Sequence, residues 1–462
     1  MTNIYDLGIQ GSVLTPSSST YNDAIARHSL TSVLHPSYVI YPITIPDIQV
    51  AIQFALSNDP PLEIAVKGGG CHTSTASSSE GGLVIDLSRF NKVVLSADRA
   101  SVVVQGGALW GDVYSTLAEH NLVAVGASVW FVGVGGYLTG GGYSSLSGKY
   151  GMAIDNLLQA TVVLADGRNV QCGGDEEPDL FWAIRGGTNQ FGVVAEFVLK
   201  THPYRPALVG ALVYPGTDLP KILDLTREYL KTQLENSNLS IMFTRSAPHF
   251  QPGIVALPYI ENDDGEAEKR VAPFRTTITP VFERIGTAPN YNVFAHGADA
   301  TLADIPPRSV AGGALFSEAW DDVISTAFRE WVTFTEKEEH KRSMMMWEFN
   351  PRNKIAEVAE KDTAFPTRNP HYHVVITASH SLPESDAPAR EWVSKMATYI
   401  KSMNTERTGV KFVTPTNFSL GSDYDSVEEV FGKNLSRLRK VKAIYDPKKV
   451  WRKGWAIEPD PQ

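Results

Sequence analysis

Two glycine-rich segments carry most of the residues in this chain that could do chemistry. The first, VKGGGCHTSTASSS, spans residues 66–79, and the second, GVGGYLTGGGYSSLSGKYG, spans 133–151, where eight of nineteen residues are glycine. Glycine allows positive φ and lacks a Cβ, so consecutive backbone N–H groups can form a concave site for an anion. Neither segment has the P-loop pattern or a dinucleotide-binding GxGxxG followed by an acidic residue. The alternative interpretation is a pair of tight turns in a β-rich domain.

Two histidines in the segment NPHYHVVITAS (369–379) are candidates for acid–base chemistry. Strand alternation places His371 and His373 on one face of a predicted strand and Tyr372 on the other. The ordinary alternative for either histidine is a hydrogen-bonded core residue.

Two further candidates are a carboxyl group and a phenol. Glu348 lies on the preceding predicted strand, MMMWEF (344–349), and Tyr137 directly follows GVGG in the second glycine segment. A salt-bridged or solvent-facing carboxylate and a pocket wall are the corresponding structural alternatives.

The composition limits the class of protein. The 462 residues carry a net charge of −10, which disfavours general binding to nucleic acid. Two cysteines are too few for a disulfide framework or a multi-cysteine zinc site, so no metal is predicted. Residues 1–20 lack the pattern of a secretory signal, and no window of 18 apolar residues occurs, so we predict a cytoplasmic protein without a membrane partner.

The elements that must position these residues follow two patterns. Residues 36–202 alternate helical and strand periodicity, which predicts a mixed α/β segment. Beyond it, predicted helices at 219–236 and 321–337 lie among strands, a pattern typical of helices on one face of an antiparallel sheet. Predicted helices at 387–403 and 426–444 lead to the end of the chain.

Several longer motifs follow one another in a characteristic order. They are VKGGGCHTSTASSSEGGLVIDLSRF (66–90), VGVGGYLTGGGYSSLSGKYGMAIDNL (132–157), PDLFWAIRGGTNQFGVV (178–194), TAFPTR (363–368) and YDPKKVW (445–451). This order resembles the berberine-bridge-enzyme-like FAD-linked oxidases of the vanillyl-alcohol-oxidase superfamily over about 400 residues.

The resemblance implies an α+β fold: a two-part PCMH-type FAD-binding domain with an inserted substrate domain of antiparallel sheet covered by helices. On this basis we expect an N-terminal extension at 1–35, the FAD-binding domain at 36–202, a substrate-binding α+β domain at 203–407, and a C-terminal segment at 408–462 that returns to the FAD domain.

The resemblance also assigns residues to the cofactor. Backbone around the first segment would wrap the FAD pyrophosphate, the second would line the flavin ring, and residues of FGVV would pack near the adenosine. The predicted cofactor-binding residues are Lys67, Gly68, Gly69, Gly70, Cys71, His72, Thr73, Ser74, Val129, Gly133, Gly135, Gly136, Gly140, Gly141, Gly142, Gly192 and Val194.

The chain departs from the family at both positions that tether FAD covalently. Cys71 stands where the family has the tethering histidine, and Val129 stands where some members have a tethering cysteine. His72 is one residue later, and adjacent residues of an extended chain point to opposite sides. We therefore predict non-covalent FAD, with a link through His72 or through Cys71 as the alternatives.

A further departure concerns the catalytic groups. The family's Asn–Tyr pair near the flavin corresponds to Asn417 and Phe418, and Phe418 cannot exchange a proton. The strand that carries the acidic base in plant relatives matches His373. His373, Glu348 and Tyr137 are therefore the predicted catalytic residues.

The predicted function is an FAD-dependent oxidoreductase that acts on an apolar small molecule in secondary-metabolite biosynthesis, as a monomer or homodimer. Hydride would pass to flavin N5 and O₂ would reoxidise the flavin. A non-redox isomerase or cyclase, for example a pericyclase with structural FAD, is the first alternative. A flavin-binding protein without catalysis is the second.

Overall fold

A computed structural model describes residues 4–246, 249–261 and 265–461. The N-terminal part forms a four-stranded sheet with the order β1-β2-β4-β3, in which β2, β4 and β3 are parallel and β1 is antiparallel to β2. Its elements are β1 (Ser12–Leu14), α1 (Tyr21–Ile25), β2 (Tyr38–Tyr41), α2 (Ile45–Ser57), β3 (Ile64–Lys67) and β4 (Leu83–Asp86).

Helix α2 packs on this sheet. Nearby residues of the sequence set both where the helix starts and which of its faces is apolar. The Thr44 side chain accepts from the Asp47 backbone N–H, and the Asp47 carboxylate accepts from that of Thr44, which forms a capping box. Ile48 and Ile52 are fully buried in one core with Ile85 of β4. This packing holds β3, whose end carries the first glycine segment.

The second sheet is antiparallel, with the order β5-β6-β10-β8-β9, and a short pair β7-β11 lies beside it. The second glycine segment lies between β7 and β8 and forms α4 and α5. The elements are β5 (Val93–Leu95), β6 (Ser101–Gln105), α3 (Trp110–Ala118), β7 (Leu122–Val123), α4 (Val134–Thr139), α5 (Ser147–Tyr150), β8 (Leu157–Val163), β9 (Asn169–Cys172), α6 (Pro178–Ile184), β10 (Val193–Lys200) and β11 (His202–Pro203).

The third sheet has seven antiparallel strands in the order β15-β12-β14-β13-β17-β18-β16. Its elements are β12 (Ala207–Pro215), α7 (Leu219–Lys231), β13 (Ser237–Arg245), β14 (Pro252–Glu261), α8 (Glu266–Thr276), β15 (Phe282–Ala288), α9 (Tyr291–Ala295), α10 (Asp299–Leu302), β16 (Arg308–Phe316), α11 (Asp321–Phe334), β17 (Met344–Phe349), α12 (Asn353–Glu357), β18 (Tyr372–His380) and α13 (Asp386–Thr408).

One face of this sheet is buried against helices α7, α8, α11 and α13. Phe243 of β13, Trp347 of β17 and Val374 of β18 pack there with Trp331 of α11 and Val393 of α13. Because side chains alternate along a strand, the intervening residues of β13, β17 and β18 point to the opposite face. The α+β architecture with helix-covered antiparallel sheet is thus the one that the sequence predicts.

The C-terminal segment returns to the second sheet. It contains a 3₁₀ turn at Thr416–Phe418, then α14 (Val427–Phe431) and α15 (Leu435–Tyr445). Leu438, Trp455 and Ile457 are buried in the same core as Phe191 and Trp182.

The four predicted helices beyond residue 202 differ in their bounds from those observed: the helix expected at 321–337 ends at Phe334, and the one expected at 387–403 spans Asp386–Thr408. The single helix expected at 426–444 is divided at Gly432, whose φ of +48° lies outside the helical region. The helix expected to reach residue 236 ends at Lys231. Among the described residues, no helix has the length and apolar composition needed to cross a membrane, and no cluster of side chains has the makeup of a metal site.

Candidate functional site

The loop that follows β3 presents a row of free backbone donors. Within the described parts of the chain, the N–H groups of residues 69–73 donate no hydrogen bond. Gly70 has a φ of +65°, which turns the loop sharply at the end of the strand, and Lys67 Nζ is held 2.8 Å from Asp86 Oδ2. Successive free N–H groups at a strand end form a cradle for an anion such as a pyrophosphate.

The two glycine segments touch through their backbones. A Cβ added to Gly69 would lie 2.5 Å from Gly133 N, and one added to Gly133 would lie 2.3 Å from Gly69 N. Any larger residue at either position would separate the segments. The donor loop and the second glycine segment therefore form one continuous wall.

The start of α4 is the open part of that wall. Gly136 is exposed, and a Cβ added to it would meet no atom within 4 Å, whereas Gly135 is half-buried. The next glycines serve packing instead: a Cβ on Gly140 would meet Asn417, and one on Gly142 would meet Tyr137. A planar ring therefore has room at Gly136, whereas a Cβ on Gly135 would lie 3.0 Å from Gly106 O.

The C-terminal segment holds this wall in place. Gly142 N–H donates to Asn417 Oδ1 at 3.3 Å, and Asn417 Nδ2 donates to Tyr137 O at 3.3 Å. The side chain of Asn417 thus uses both its oxygen and its nitrogen to bind the backbone of the second glycine segment.

Neither tether position presents a reactive side chain. Cys71 Sγ lies 3.1 Å from Phe131 O, and burial raises the pKa of its thiol to about 11. Val129 is half-buried and offers no nucleophile.

His72 is engaged at both ring nitrogens. Nε2 lies 3.1 Å from Thr416 O, to which it donates, and Nδ1 accepts from the Ser74 hydroxyl at 2.7 Å. Burial lowers the pKa of His72. The Ser74 hydroxyl and that of Thr73, which lies 3.0 Å from Ala311 N, are both bonded within the protein.

Val194 lies on β10, and Gly192 directly precedes that strand. A Cβ on Gly192 would come within 2.6 Å of Val162 Cγ1, so this glycine permits the close packing of β10 on β8. Val194 is half-buried, and its carbonyl oxygen would lie 2.4 Å from a Cβ on Gly106.

A residue that the sequence analysis did not single out lies between these parts. Thr188 has a φ of +60°, and its N–H donates to Thr139 O at 3.1 Å. Its buried hydroxyl has no hydrogen-bond partner within the described residues. A strained, unsatisfied hydroxyl beside a glycine wall indicates a ligand contact. Together with the free loop N–H groups and the open wall, it fits a cofactor with a pyrophosphate and a planar ring.

The face of the seven-stranded sheet opposite helices α7, α8, α11 and α13 carries the titratable candidates. Met242, Met346 and Val375 are half-buried on this face, although their strand neighbours are fully buried. Glu348 and His373 are directly paired across β17 and β18, with Glu348 Oε1 3.3 Å from His373 Nε2 but not in hydrogen-bond geometry. The Glu348 side chain is 16% exposed and that of His373 is 2% exposed, so Glu348 is the more accessible group.

Tyr137 faces the same region from α4. Its hydroxyl donates to Tyr143 O, and its ring lies edge-on to Trp110 at 5.4 Å. Burial raises the pKa of the Tyr137 phenol, and the negative charge of Glu348 raises it further. The fold thus brings the three predicted catalytic residues into one region.

Tyr143 and His371 form a second hydrogen-bonded pair. His371 Nδ1 donates to Asn369 O at 2.6 Å, which leaves Nε2 to accept from the Tyr143 hydroxyl at 2.7 Å. Burial lowers the pKa of His371 to about 4 and raises that of Tyr143. The sequence analysis did not single out Tyr143, whose signal was its place directly after Gly140–Gly142.

Two aromatic rings, those of Tyr143 and Phe418, pack against His373. Its ring centroid lies 4.5 Å from that of Tyr143 and 5.1 Å from that of Phe418, with an angle of 14° between His373 and Phe418. Phe418 and Tyr143 are 5.8 Å apart. Phe418 therefore packs against the candidate acid–base group, and its phenyl ring has no proton to exchange with it.

Comparison with known proteins adds family information to this geometry. Residues 36–173 match the model of the FAD binding domain family, and residues 404–458 match that of the berberine and berberine-like family. The chain is 28% identical to the FAD-linked oxidoreductase pgmH of Aspergillus terreus over 98% of this chain and 94% of that protein.

Solved structures share the fold. BBE-like 1 of Physcomitrella patens superposes with a TM-score of 0.85 at 19% identity and covers 100% of both chains. The 6-hydroxy-D-nicotine oxidase of Arthrobacter nicotinovorans superposes with a TM-score of 0.83 at 23% identity over 98% of this chain and 99% of that one.

Proposed function

We propose that this chain is an FAD-linked oxidoreductase of the berberine-bridge-enzyme-like type that oxidises an apolar small molecule lying between the glycine wall and the sheet face opposite helices α7, α8, α11 and α13. The observation that carries the proposal is the half-buried apolar face of Met242, Met346 and Val375 with one accessible carboxylate, Glu348, on it. A concave apolar surface with few polar groups is typical of a small-molecule site.

The residues divide the work as follows. The methionines and Val375 bind the apolar body of the substrate and exclude water, since methionine adapts its shape to an irregular ligand. Glu348 accepts the proton of a substrate O–H or N–H group, and His373, buried behind it, stabilises the carboxylate position. Bound FAD supplies the two-electron acceptor for a hydride at N5, with O₂ as the terminal oxidant.

Non-covalent attachment of FAD is part of the proposal. Three features support it: the raised pKa of the Cys71 thiol, the engagement of both His72 ring nitrogens, and the apolar side chain of Val129. The free N–H groups of residues 69–73, with Thr188, would hold the cofactor through hydrogen bonds alone. The role in secondary metabolism remains a prediction.

An absorption spectrum of the purified protein followed by anaerobic addition of substrate tests the function. We expect flavin absorption, bleaching by an apolar amine or alcohol from a screened panel, and O₂ consumption when air is readmitted. A protein that is colourless and does not take up FAD would contradict the proposal.

A non-redox isomerase or cyclase is the second candidate, and the packing of Phe418 against His373 favours it. The Glu348–His373 pair could move a proton within a substrate without electron transfer. Product formation from the same panel without flavin bleaching and without O₂ consumption would identify this activity.

A further inference from the structure

The edge of the seven-stranded sheet is closed by hydroxyl groups where a further strand would otherwise pair. Ser309 N–H on the edge strand β16 donates to Ser29 Oγ at 2.8 Å, and Ser29 Oγ donates to Ser309 O at 2.8 Å. Two residues on, Ala311 N–H donates to Thr73 Oγ1 at 3.0 Å. Side-chain oxygens therefore satisfy two N–H groups on the outer edge of this strand, those of Ser309 and Ala311.

Thr73 is the member of this set that belongs to the cofactor loop. It is 8% exposed and ends the run of free N–H groups at residues 69–73. The Thr31 hydroxyl, which lies 2.9 Å from Ser309 O, also lies 3.3 Å from Thr73 O. The loop, the N-terminal segment and the sheet edge are therefore in direct contact.

The edge strand in turn positions the candidate acid–base group. Strand β16 pairs along its length with β18, with Ala311 opposite Thr377 and Leu315 opposite His373. A displacement of β16 would therefore be transmitted to His373 through the ladder of backbone hydrogen bonds.

We propose that Thr73 is a positioning residue that couples occupancy of the cofactor loop by FAD to the order of the substrate sheet edge. Phosphate oxygens on the free N–H groups fix the loop, and the fixed loop holds Thr73 Oγ1 on Ala311 N–H. By linkage, anything that orders β16 strengthens FAD binding by the same factor.

Amide hydrogen exchange tests this coupling in the full-length protein, stripped of FAD and then reconstituted. In the wild type, FAD slows exchange in peptides that cover Arg308–Phe316, and the central strand β13 is the reference. Thr73→Val retains the backbone donors and binds FAD. We expect it to reduce the FAD-dependent protection roughly fivefold, the factor expected for one neutral hydrogen bond. Thr73→Ser restores the protection because it retains the hydroxyl.

Two further variants separate coupling from general destabilisation. Ser29→Ala removes the neighbouring hydroxyl on the same strand, and we expect faster exchange to an equal extent with and without FAD. Ala311→Pro removes the same hydrogen bond from the sheet side, at an edge position that tolerates proline, and keeps the test available if Thr73→Val does not fold.

FAD-dependent protection of β16 that is equal in the wild type and in Thr73→Val, or absent from the wild type, would overturn the proposal. The experiment requires FAD that can be released from the protein, and acid precipitation tests that requirement separately. A failure of the proposed non-covalent attachment can therefore be told apart from a failure of the proposed Thr73 coupling.

Discussion

Release of FAD by acid is the most direct test of how this chain holds its cofactor. We expect all flavin to leave the wild-type protein on acid precipitation, and the same result for Cys71→Ser and His72→Gln. The physical reason is that neither side chain presents a free nucleophile: the Cys71 thiol has a raised pKa, and both ring nitrogens of His72 are hydrogen-bonded.

The size of the expected effect on Cys71 reactivity follows from the raised pKa of its thiol. With a pKa of about 11, roughly one Cys71 thiol in a thousand is ionised at pH 8, against about one in four for an ordinary cysteine with a pKa near 8.5. Since the thiolate is the nucleophile, alkylation of Cys71 in the native protein should be slower than in the unfolded protein by about two orders of magnitude.

The assay combines flavin fluorescence of the acid pellet, in-gel fluorescence after denaturation, and timed iodoacetamide labelling read by mass spectrometry. Cys172→Ser is the matched control, because Cys172 is fully buried in β9 away from the loop. Flavin that stays in the wild-type pellet refutes the reasoning. Its loss in Cys71→Ser would identify a thioether, its loss in His72→Gln a histidyl link, and its persistence in both a link elsewhere.

Three further predictions concern catalysis, the buried ion pair and pH. Glu348→Gln should lower kcat by about 10²–10⁴-fold at unchanged FAD content, because an amide cannot accept the proton. The control Met346→Leu, on the same face of the strand, should change kcat only a few-fold. Steady-state O₂ uptake with a substrate from the panel measures both variants. Arg368→Met should lower the free energy of unfolding by about 3–5 kcal/mol, measured by denaturant titration. Asp155 Oδ1 lies 2.8 Å from Arg368 Nη2, and the substitution leaves this carboxylate buried without its charged partner. An unchanged unfolding midpoint would contradict this prediction. The free energy of unfolding should fall by up to about 3 kcal/mol as the pH drops from about 6.5 to about 4, because the buried His371 stays neutral in the folded protein while the unfolded chain takes up a proton there. His371→Asn should flatten that part of the Tm–pH curve. An equally steep curve in this variant would exclude His371 as the cause.

The sequence predicted the α+β fold class and the FAD cofactor through the order of its motifs, which resembles that of a known family. A Cβ would clash with backbone at Gly69 and Gly133, and Gly70 has a positive φ, so these glycines report local geometry that other residues satisfy poorly. Strand alternation is equally local, and it predicted β17 at its observed bounds of Met344–Phe349.

The limits of this reasoning are seen in the cofactor loop. The family resemblance assigned Thr73 and Ser74 to the cofactor, but the direction of a short polar side chain depends on which partner approaches it. In the fold, the partner of Thr73 is Ala311 on the seven-stranded sheet, and the partner of Ser74 is His72. A residue type gives the capacity for a hydrogen bond, and the neighbour that uses it comes from elsewhere in the chain.

Only the tertiary structure decided the pairing of the polar groups at the site. Tyr143 and His371 are 228 residues apart, and His72 and Thr416 are 344 residues apart. Local periodicity sets the face on which a side chain lies, but the packing of three sheets and the returning C-terminal segment sets what that face meets. Hydrogen-bond partners and pKa shifts depend on that packing, because both arise from burial and from neighbours that are distant in sequence.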